Sequence, residues 1–575
     1  MGAKTEYVSK NWFPEETQDW LNTKDYYASY CSLRYWTSLS HSKTQSSINP
    51  FKEDDMLNAV VGYKVNRSPD MIFDEVNGTV EATIAGDYLV VYTAAIDVMS
   101  GTSGGSSVQK IQRHATNGII STLMTSAAVF ADDERHPQQC VIHTVIAMTA
   151  GQKISVLSDA GGPGTSRLTA GTSVFIKRLT GHFATVRYTA DSDTITSTSN
   201  VSVFDQTPDL GGTITSNVSG MTYTTSNGRL TPSSERMFVN LQSYILLSTG
   251  GDFDEARHRS TLNGSVSLPG DGGDGYMEEV KVGVSDADDP FCSTNNIMKA
   301  IPSSLGSQPQ FKINSDVPDY KFMQGTCTTV YDISNAGARP SVYFNLILDD
   351  GTSDAAGVGD FNIWDDGNYS GTFTTIDPND DTNKAVGSTI GGNTGVTYVP
   401  GSGRFIVDEA GDYVIISNLV AKTVSSEGNS FHFIKSVSAS GDTITHHTSK
   451  FFHEADMEPI SNSSFAIASL QAGEGVEIVM SNFNAKATQG CSIIIYKIGP
   501  RMTKQPDDNE FFDGGTRVKY TTQTAGQPIV KTDDTIDSAD KGDQRDRRTE
   551  QSPFRMTING PLTLRGRARS SLPFN

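Results

Sequence analysis

The chain has 575 residues and a formal net charge of −21 at pH 7, with 66 acidic side chains against 45 Lys and Arg. Such an acidic chain repels phosphate backbones, which argues against nucleic acid as a partner. No stretch approaches the roughly 18 consecutive apolar residues that a membrane helix needs, so we expect no membrane insertion. The 53 glycines, with many Ser, Thr and Asp residues, predict short strands joined by frequent turns.

Residues 1–56 form an aromatic leader that holds three of the four tryptophans of the chain. The leader has no apolar core of the kind found in secretion signals, so we expect synthesis in a host cytoplasm. Its aromatic density predicts a docking arm, in which we name as assembly residues Trp12, Phe13, Trp20, Tyr35 and Trp36. The alternative is an arm that folds over the first domain and supplies a strand that the short start of that domain lacks.

One pattern recurs three times after the leader: a strand, a glycine turn and a second strand. In two copies a Gly-Asp-Tyr triplet then opens a third strand, where the middle copy has Arg-Met-Phe. The turns fall at Gly78, Gly228 and Gly403, and we predict tight hairpins there because Asn-Gly and Ser-Gly pairs suit positive φ. Each copy later closes on a glycine followed by an apolar, β-rich run, at Gly171, Gly325 and Gly490.

A mid-copy hairpin signal also recurs between them, at Asn117-Gly118, Asn263-Gly264 and Ser440-Gly441. The turn glycine, this hairpin signal and the closing glycine repeat in one order three times, which predicts a tandem array of one domain. The fold class is therefore all-β, with three tandem antiparallel jelly-roll sandwiches between extended terminal arms. The boundaries between domains are short and rich in turn residues, so we expect neighbouring domains to stack without free swivelling. The predicted segments are an N-terminal arm at 1–56, jelly rolls at 57–180, 181–335 and 336–500, and a C-terminal tail at 501–575.

The tail begins with a polar, Asp-rich spacer and ends in a basic tip that also carries apolar side chains. Such a composition predicts a tether that folds onto a partner, with a frayed terminus as the alternative. The docking residues that we assign to the tip are Arg565, Arg567, Arg569 and Phe574.

Candidate chemical motifs are weak. Strand alternation places His446 and His447 on opposite faces, so this pair, with His453 and Glu454 nearby, does not predict a metal site. The acidic loops are either solvated or bind calcium, through Asp365, Asp366, Asp377, Asp380 and Asp381. No catalytic constellation stands out, so we expect neither an enzyme nor a cofactor. The five cysteines are odd in number and far apart, which predicts free thiols made in a reducing compartment.

The end of each outer copy carries a family resemblance. Residues 470–479, LQAGEGVEIV, and residues 148–157, MTAGQKISVL, resemble the last strands of complement globular-head and tumour-necrosis-factor-like jelly rolls. The resemblance implies ten-strand antiparallel sandwiches that pack as trimers, sometimes with calcium near the axis, and it implies binding or assembly. By this resemblance we expect a homotrimer, with three residues of the third domain near its axis: Tyr413, Phe431 and Tyr496.

Repeated sandwiches with long non-globular ends suit a protein built into a particle. We expect a virion structural protein of a tailed bacterial virus, a capsid decoration, cement or head-fibre trimer. Its arms would bind the major capsid protein or other virion proteins. The alternatives are a receptor-binding tail fibre whose far domain recognises host surface glycan, and a bacterial surface adhesin.

Overall fold

The computed structural model describes most of the three domains and little of the chain ends. The described residues are 29–35, 47–52, 61–68, 70–98, 105–131, 137–161, 166–196, 201–206, 211–233, 236–249, 256–262, 276–282, 290–301, 309–315, 319–333, 341–348, 359–365, 373–375, 395–423, 428–453, 460–482, 485–487, 491–499 and 517–521. No helix in these ranges has the length and apolar character needed to cross a membrane.

The first domain is a sandwich of two antiparallel sheets. One sheet runs β8-β5-β11-β1-β2, with β10 paired to the far end of β5, and the other runs β3-β4-β9-β6-β7. The strands are β1 (Tyr30–Tyr35), β2 (Val61–Arg67), β3 (Met71–Asp74), β4 (Thr79–Ala82), β5 (Gly86–Val98), β6 (Gly105–His114), β7 (Ile120–Ala131), β8 (Gln138–Met148), β9 (Lys153–Gly161), β10 (Ser166–Leu168) and β11 (Ser173–Leu179).

The second domain repeats this arrangement. Its sheets run β20-β17-β23-β12-β14 and β15-β16-β21-β18-β19, with β22 paired to β17 and β13 to β21. The strands are β12 (Phe183–Ala190), β13 (Val201–Ser202), β14 (Thr213–Ser219), β15 (Met221–Thr224), β16 (Arg229–Pro232), β17 (Arg236–Ser248), β18 (Ala256–Leu262), β19 (Tyr276–Val282), β20 (Phe291–Ile301), β21 (Pro309–Ser315), β22 (Tyr320–Phe322) and β23 (Cys327–Asp332).

The third domain has the same strand order again, β32-β29-β35-β24-β26 and β27-β28-β33-β30-β31, with β34 paired to β29 and β25 to β33. A one-turn 3-10 helix, Pro400–Ser402, lies between β27 and β28. The strands are β24 (Ser341–Leu348), β25 (Gly359–Asn362), β26 (Phe373–Thr375), β27 (Val396–Val399), β28 (Arg404–Val407), β29 (Gly411–Thr423), β30 (Gly428–Val437), β31 (Thr443–His453), β32 (Ile460–Leu470), β33 (Gly475–Asn482), β34 (Ala485–Ala487) and β35 (Ser492–Gly499).

The predicted all-β fold of three tandem jelly rolls is therefore confirmed. Three domains with one strand order also share their local geometry. The turn glycines Gly78, Gly228 and Gly403 each precede the second strand of a hairpin, with φ of +61°, +66° and +63°. Tyr88 and Tyr413 of the Gly-Asp-Tyr triplets each donate a hydroxyl hydrogen bond at 2.7 Å to a carbonyl four residues earlier, which secures the turn before the long central strand.

A polar side chain from a separate segment holds each of the glycine turns. Asn49 Nδ2 donates to two turn carbonyls, at 3.3 and 3.0 Å, and Asn362 Nδ2 donates to two at 2.9 Å. In the second domain Ser202 Oγ donates to one turn carbonyl at 3.0 Å. Two residues after each of these side chains, the same segment buries an aromatic ring in its own domain: Phe51, Phe204 and Trp364.

One strand from each of the two terminal segments belongs to the first domain. Tyr30–Tyr35 lies between β11 and β2, so the segment 1–56 supplies an integral strand of that domain, as the alternative to a docking arm predicted. Tyr35, which we named as a docking residue, is the last residue of this strand. Within the tail, β36 (Arg517–Thr521) pairs with β2 and forms the edge of the same sheet. The remaining docking residues of both arms lie outside the described residues: Trp12, Phe13, Trp20, Trp36, Arg565, Arg567, Arg569 and Phe574.

Candidate functional site at the junction of the three domains

The three closing strands β11, β23 and β35 meet where the domains of this single chain come together. Lys177, Tyr331 and Tyr496 stand six positions after Gly171, Gly325 and Gly490, so they occupy one repeated position. Lys177 Nζ lies 4.9 Å from the centre of the Tyr331 ring and 4.6 Å from that of Tyr496. The two tyrosine hydroxyls are 2.9 Å apart and hydrogen-bonded. Equivalent side chains from three copies therefore converge on one pseudo-threefold axis.

This central cluster is removed from solvent. Lys177 is 2% exposed, and its ammonium also donates to the Tyr496 hydroxyl at 3.4 Å. Burial, and then the neighbouring Tyr496, raises the pKa of Tyr331 well above its usual value, so this phenol stays neutral. A buried cation needs partners, and the negative faces of the two rings provide them.

Apolar side chains on the same face of the closing strands continue the contact along the axis. They belong to one buried cluster that draws on all three domains. The rings of Phe175 and Phe465 stack across the boundary of the first and third domains, with centroids 6.2 Å apart. The other members from this face of the closing strands are Leu179, Ile333, Ile494 and Ile498.

The closing glycines bring neighbouring domains into backbone contact. Gly171 and Gly325 have φ of +105° and +97°, and each packs against a serine of a neighbouring domain, Ser449 and Ser126 respectively. The residue after each serine donates a backbone hydrogen bond to the carbonyl just before the glycine: Lys450 N to Ala170 O at 3.1 Å, and Ala127 N to Gln324 O at 2.6 Å. One heterologous contact is thus used twice, as rotation about an axis requires. Gly490 lies outside the described residues.

Hydrogen bonds join the domains around the axis. Between the second and third domains, Thr294 Oγ1 and Ser463 Oγ are 2.7 Å apart. The Gln139 side chain of the first domain exchanges two 2.7 Å hydrogen bonds with the Ser463 backbone. Between the first and second domains, His143 Nδ1 lies 2.8 Å from Thr329 Oγ1. At this junction the three domains of one chain therefore cover parts of one another's surfaces, and the homotrimer that the family resemblance implies stays a prediction.

His143 makes one of these boundaries sensitive to acid. Complete burial lowers the pKa of His143 to about 3, and its Nε2 has no hydrogen-bond partner among the described residues. An unfolded histidine titrates near pH 6.5, so below that pH protons bind the unfolded chain first. This stabilisation is complete above pH 6.5 and declines as the pH falls towards 3. When the pH is lowered from 7 to 5, we expect the free energy of unfolding to fall in the wild type by about 2 kcal/mol more than in His143→Asn.

Urea titrations at the two pH values measure this difference. Equal losses in wild type and variant would show that His143 is not buried in its neutral form. A second buried histidine, His432, has its pKa lowered to about 4 by burial and is present in both proteins, so its effect cancels.

The three residues that we expected near a trimer axis occupy different places. Tyr496 lies on the axis described above. Tyr413 lies instead in the core of the third domain, because its strand turns that side chain between the two sheets. Phe431 alternates with buried neighbours on β30 and stacks on Phe433 at 5.9 Å, on the outward side of that sheet. The sequence analysis did not identify Lys177 as an axis residue, because the first copy has a lysine where the other two copies have a tyrosine.

The candidate metal ligands have other partners. His446 bonds to Ser436 at 2.8 Å, His447 to the Phe465 carbonyl at 2.9 Å and His453 to Thr423 at 3.2 Å. Across the ranges that the structure describes, no three His, Cys, Asp or Glu side chains cluster as a metal site requires. Of the residues considered for calcium only Asp365 is described; Asp366, Asp377, Asp380 and Asp381 lie outside, as does Glu454. The five cysteines are buried and form no disulfide with one another.

Comparison with known proteins yields structural similarity alone. No protein-family model matches the chain, and no curated protein does. Two crystal structures of murine APRIL, at pH 8.5 and pH 8.0, are similar to 26% of this chain over 99% of their own length, with 14% and 13% identity and a TM-score of 0.18. The jelly-roll fold of each domain follows from its own strand order.

Proposed function

We propose that this chain is a virion structural protein of a tailed bacterial virus, in which three jelly rolls form one closed head. The observation that supports this proposal best is the pseudo-threefold junction at Lys177, Tyr331 and Tyr496. A junction with a shared buried core and backbone contacts holds three domains as one rigid body, as a decoration or head-fibre protein exposed outside a particle requires. The contacts among Lys177, Tyr331 and Tyr496 hold the three domains against one another, which suits a role in assembly.

Attachment belongs to the chain ends in this proposal. Because β1 and β36 lie in one sheet, both terminal segments leave from the first domain. We infer that the first domain lies nearest the particle, where the arms bind the major capsid protein or another virion protein. The second and third domains then project outward.

Two arm deletions test the proposal on purified particles. We expect mass spectrometry to find the protein in particles and electron cryomicroscopy to place it on the head. Deleting residues 1–28 or 522–575 spares both β1 and β36, so circular dichroism and melting of the head should be unchanged. At least one deletion should reduce decoration of the particle sharply. Absence from purified particles, or full decoration by both deletion variants, would contradict the proposal.

A further inference from the structure

One contact recurs at all three boundaries around the pseudo-threefold axis. In each domain a side chain of the edge strand β8, β20 or β32 accepts a hydrogen bond from a backbone N–H of a neighbouring domain. That N–H lies two positions further along the equivalent strand. The three contacts are Ser463 N to Gln139 Oε1 at 2.7 Å, Thr294 N to Ser461 Oγ at 3.0 Å and Val141 N to Cys292 Sγ at 3.4 Å. The acceptor is an oxygen at two boundaries and a sulfur at the boundary of the first and second domains.

The strand registers place a second thiol beside this sulfur. Cys140 precedes Val141 on β8, and its counterparts on β20 and β32 are Ser293 and Asn462. The equivalent pairs at the three boundaries are therefore two amides, two hydroxyls and two thiols: Gln139 with Asn462, Ser461 with Ser293 and Cys292 with Cys140. One boundary of the three thus has the chemistry to form a covalent bond between domains.

Cys292 is held against the backbone next to Cys140. Its Sγ lies 3.3 Å from the Ser243 hydroxyl, which donates to the carbonyl of Val141. The Val141 nitrogen, 3.4 Å from Cys292 Sγ, is two covalent bonds from the Cα of Cys140, so this Cα lies within about 6 Å of the Cys292 sulfur. Both thiols belong to one buried cluster that contains residues of the two domains.

The two thiols also differ in reactivity. A hydrogen bond from the Cys140 thiol lowers the pKa of Cys292, because it stabilises the thiolate. Cys292 is 8% exposed, whereas Cys140 is completely buried. A thiolate with some access to solvent is the form that oxidants attack, so Cys292 reacts first.

We propose that Cys140 and Cys292 are a redox-controlled site, where a disulfide locks the first domain to the second. The thiols stay reduced in a reducing compartment, and the bond forms when the folded protein meets peroxide. The lock depends on the contact between two domains of one chain and is independent of where the protein sits on a particle.

Hydrogen peroxide accounts for every atom and electron of the reaction. The Cys292 thiolate attacks one peroxide oxygen, the O–O bond breaks, and the departing hydroxide takes up the thiol proton, which leaves a sulfenic acid and one water. Cys140 Sγ then attacks Cys292 Sγ, the S–O bond breaks, and the leaving hydroxide takes up the Cys140 proton as the second water. Two thiols lose two electrons, and one peroxide is reduced to two waters.

Thiol counting and peptide mapping of the full chain test the site. Folded protein is treated with hydrogen peroxide, quenched with catalase and unfolded before its thiols are titrated. We expect the count to fall from five to three and to return to five after reduction. Peptide mass spectrometry should find residues 140 and 292 joined. A count that stays at five, or a disulfide between another pair, would overturn the proposal.

Urea unfolding measures whether the bond locks the boundary. A disulfide stabilises a fold mainly by constraining the unfolded chain, and this one would close a loop that spans most of two domains. The oxidised wild type should therefore unfold at a higher urea concentration than the reduced form. Equal midpoints in the two forms would contradict a lock.

The variant Cys140→Ser tests the order of the two steps. Without the second thiol the reaction should stop at the sulfenic acid, so dimedone should label residue 292 and no disulfide should form. Cys140→Ala gives the same readout if the serine variant fails to fold. The matched control, Cys491→Ser, removes a buried thiol of the third domain and should still lose two thiols and form the bond. A disulfide at Cys292 in either Cys140 variant, or no disulfide in the control, would show that Cys140 and Cys292 are not the reacting pair.

Discussion

We expect Gly325→Ala to destabilise the protein by about 2–6 kcal/mol, because one methyl group acts in two ways. The φ of +97° at this position is strained for any residue with a Cβ, at a cost of about 1–3 kcal/mol. The added Cβ would also stand 2.7 Å from the Cα of Ser126 in the first domain. Backbone cannot rotate away as a side chain can, so the first two domains must separate or shift. Urea unfolding of wild type and variant measures the sum of the backbone strain and the cost of the close contact with Ser126.

The β30–β31 turn supplies a control with the same strain and no neighbour. Gly441 has a φ of +93°, and nothing lies within 4 Å of where its Cβ would be. Gly441→Ala should therefore cost about 1–3 kcal/mol. Equal losses in the two variants would mean that the domains do not approach each other at Gly325.

The second large effect is expected at the centre of the junction. Lys177→Glu places a carboxylate against the negative faces of two tyrosine rings, in a site where the native side chain is 2% exposed. A buried charge without a counter-charge costs about 3–5 kcal/mol. We expect a loss of this size in the free energy of unfolding.

Lys177→Met separates charge from volume at this site. It keeps the length and the apolar stem and loses the ammonium, with its long hydrogen bond to the Tyr496 hydroxyl and its contact with the two rings, the latter worth about 2 kcal/mol when desolvated. The order of stability should be wild type, then Met, then Glu. A Glu variant as stable as the Met variant would show that this position is open to water.

The domain fold could be predicted because its signals are local. Turn glycines, alternating apolar residues and the Ala-Gly turns before β9 and β33 all act within short stretches, and β-structure depends on such patterns. The segments that hold the turns were missed because their spacing varies. Asn49, Ser202 and Asn362 reach turn carbonyls up to 29, 25 and 41 residues ahead, so no fixed period marks them. The sequence signal that could have identified these segments is the aromatic residue two positions after each of these side chains.

The closure within one chain could not be predicted from the flanks alone. A repeated apolar flank shows that a copy of the domain must cover it, and both another chain and another domain of the same chain satisfy that need. Whether another chain or the same chain supplies the covering domain depends on the path of the links between domains, and short links allow either arrangement. Lys177 was the available signal in the sequence. The repeated position holds one lysine and two tyrosines, and a junction made by the three different domains of one chain brings together one ammonium group and two rings.

Oxidative cross-linking of Thr294→Cys with Ser463→Cys tests most directly whether the three-fold junction forms within one chain. The two hydroxyls are 2.7 Å apart across the boundary of the second and third domains, so the two thiols that replace them are placed to pair. Each single variant is the control for the native cysteines. Under denaturing, non-reducing conditions we expect the disulfide-bonded protein to keep the mass of one chain, 61.9 kDa. Disulfide-linked dimers and trimers of chains would contradict this result, because they would place the junction between different molecules.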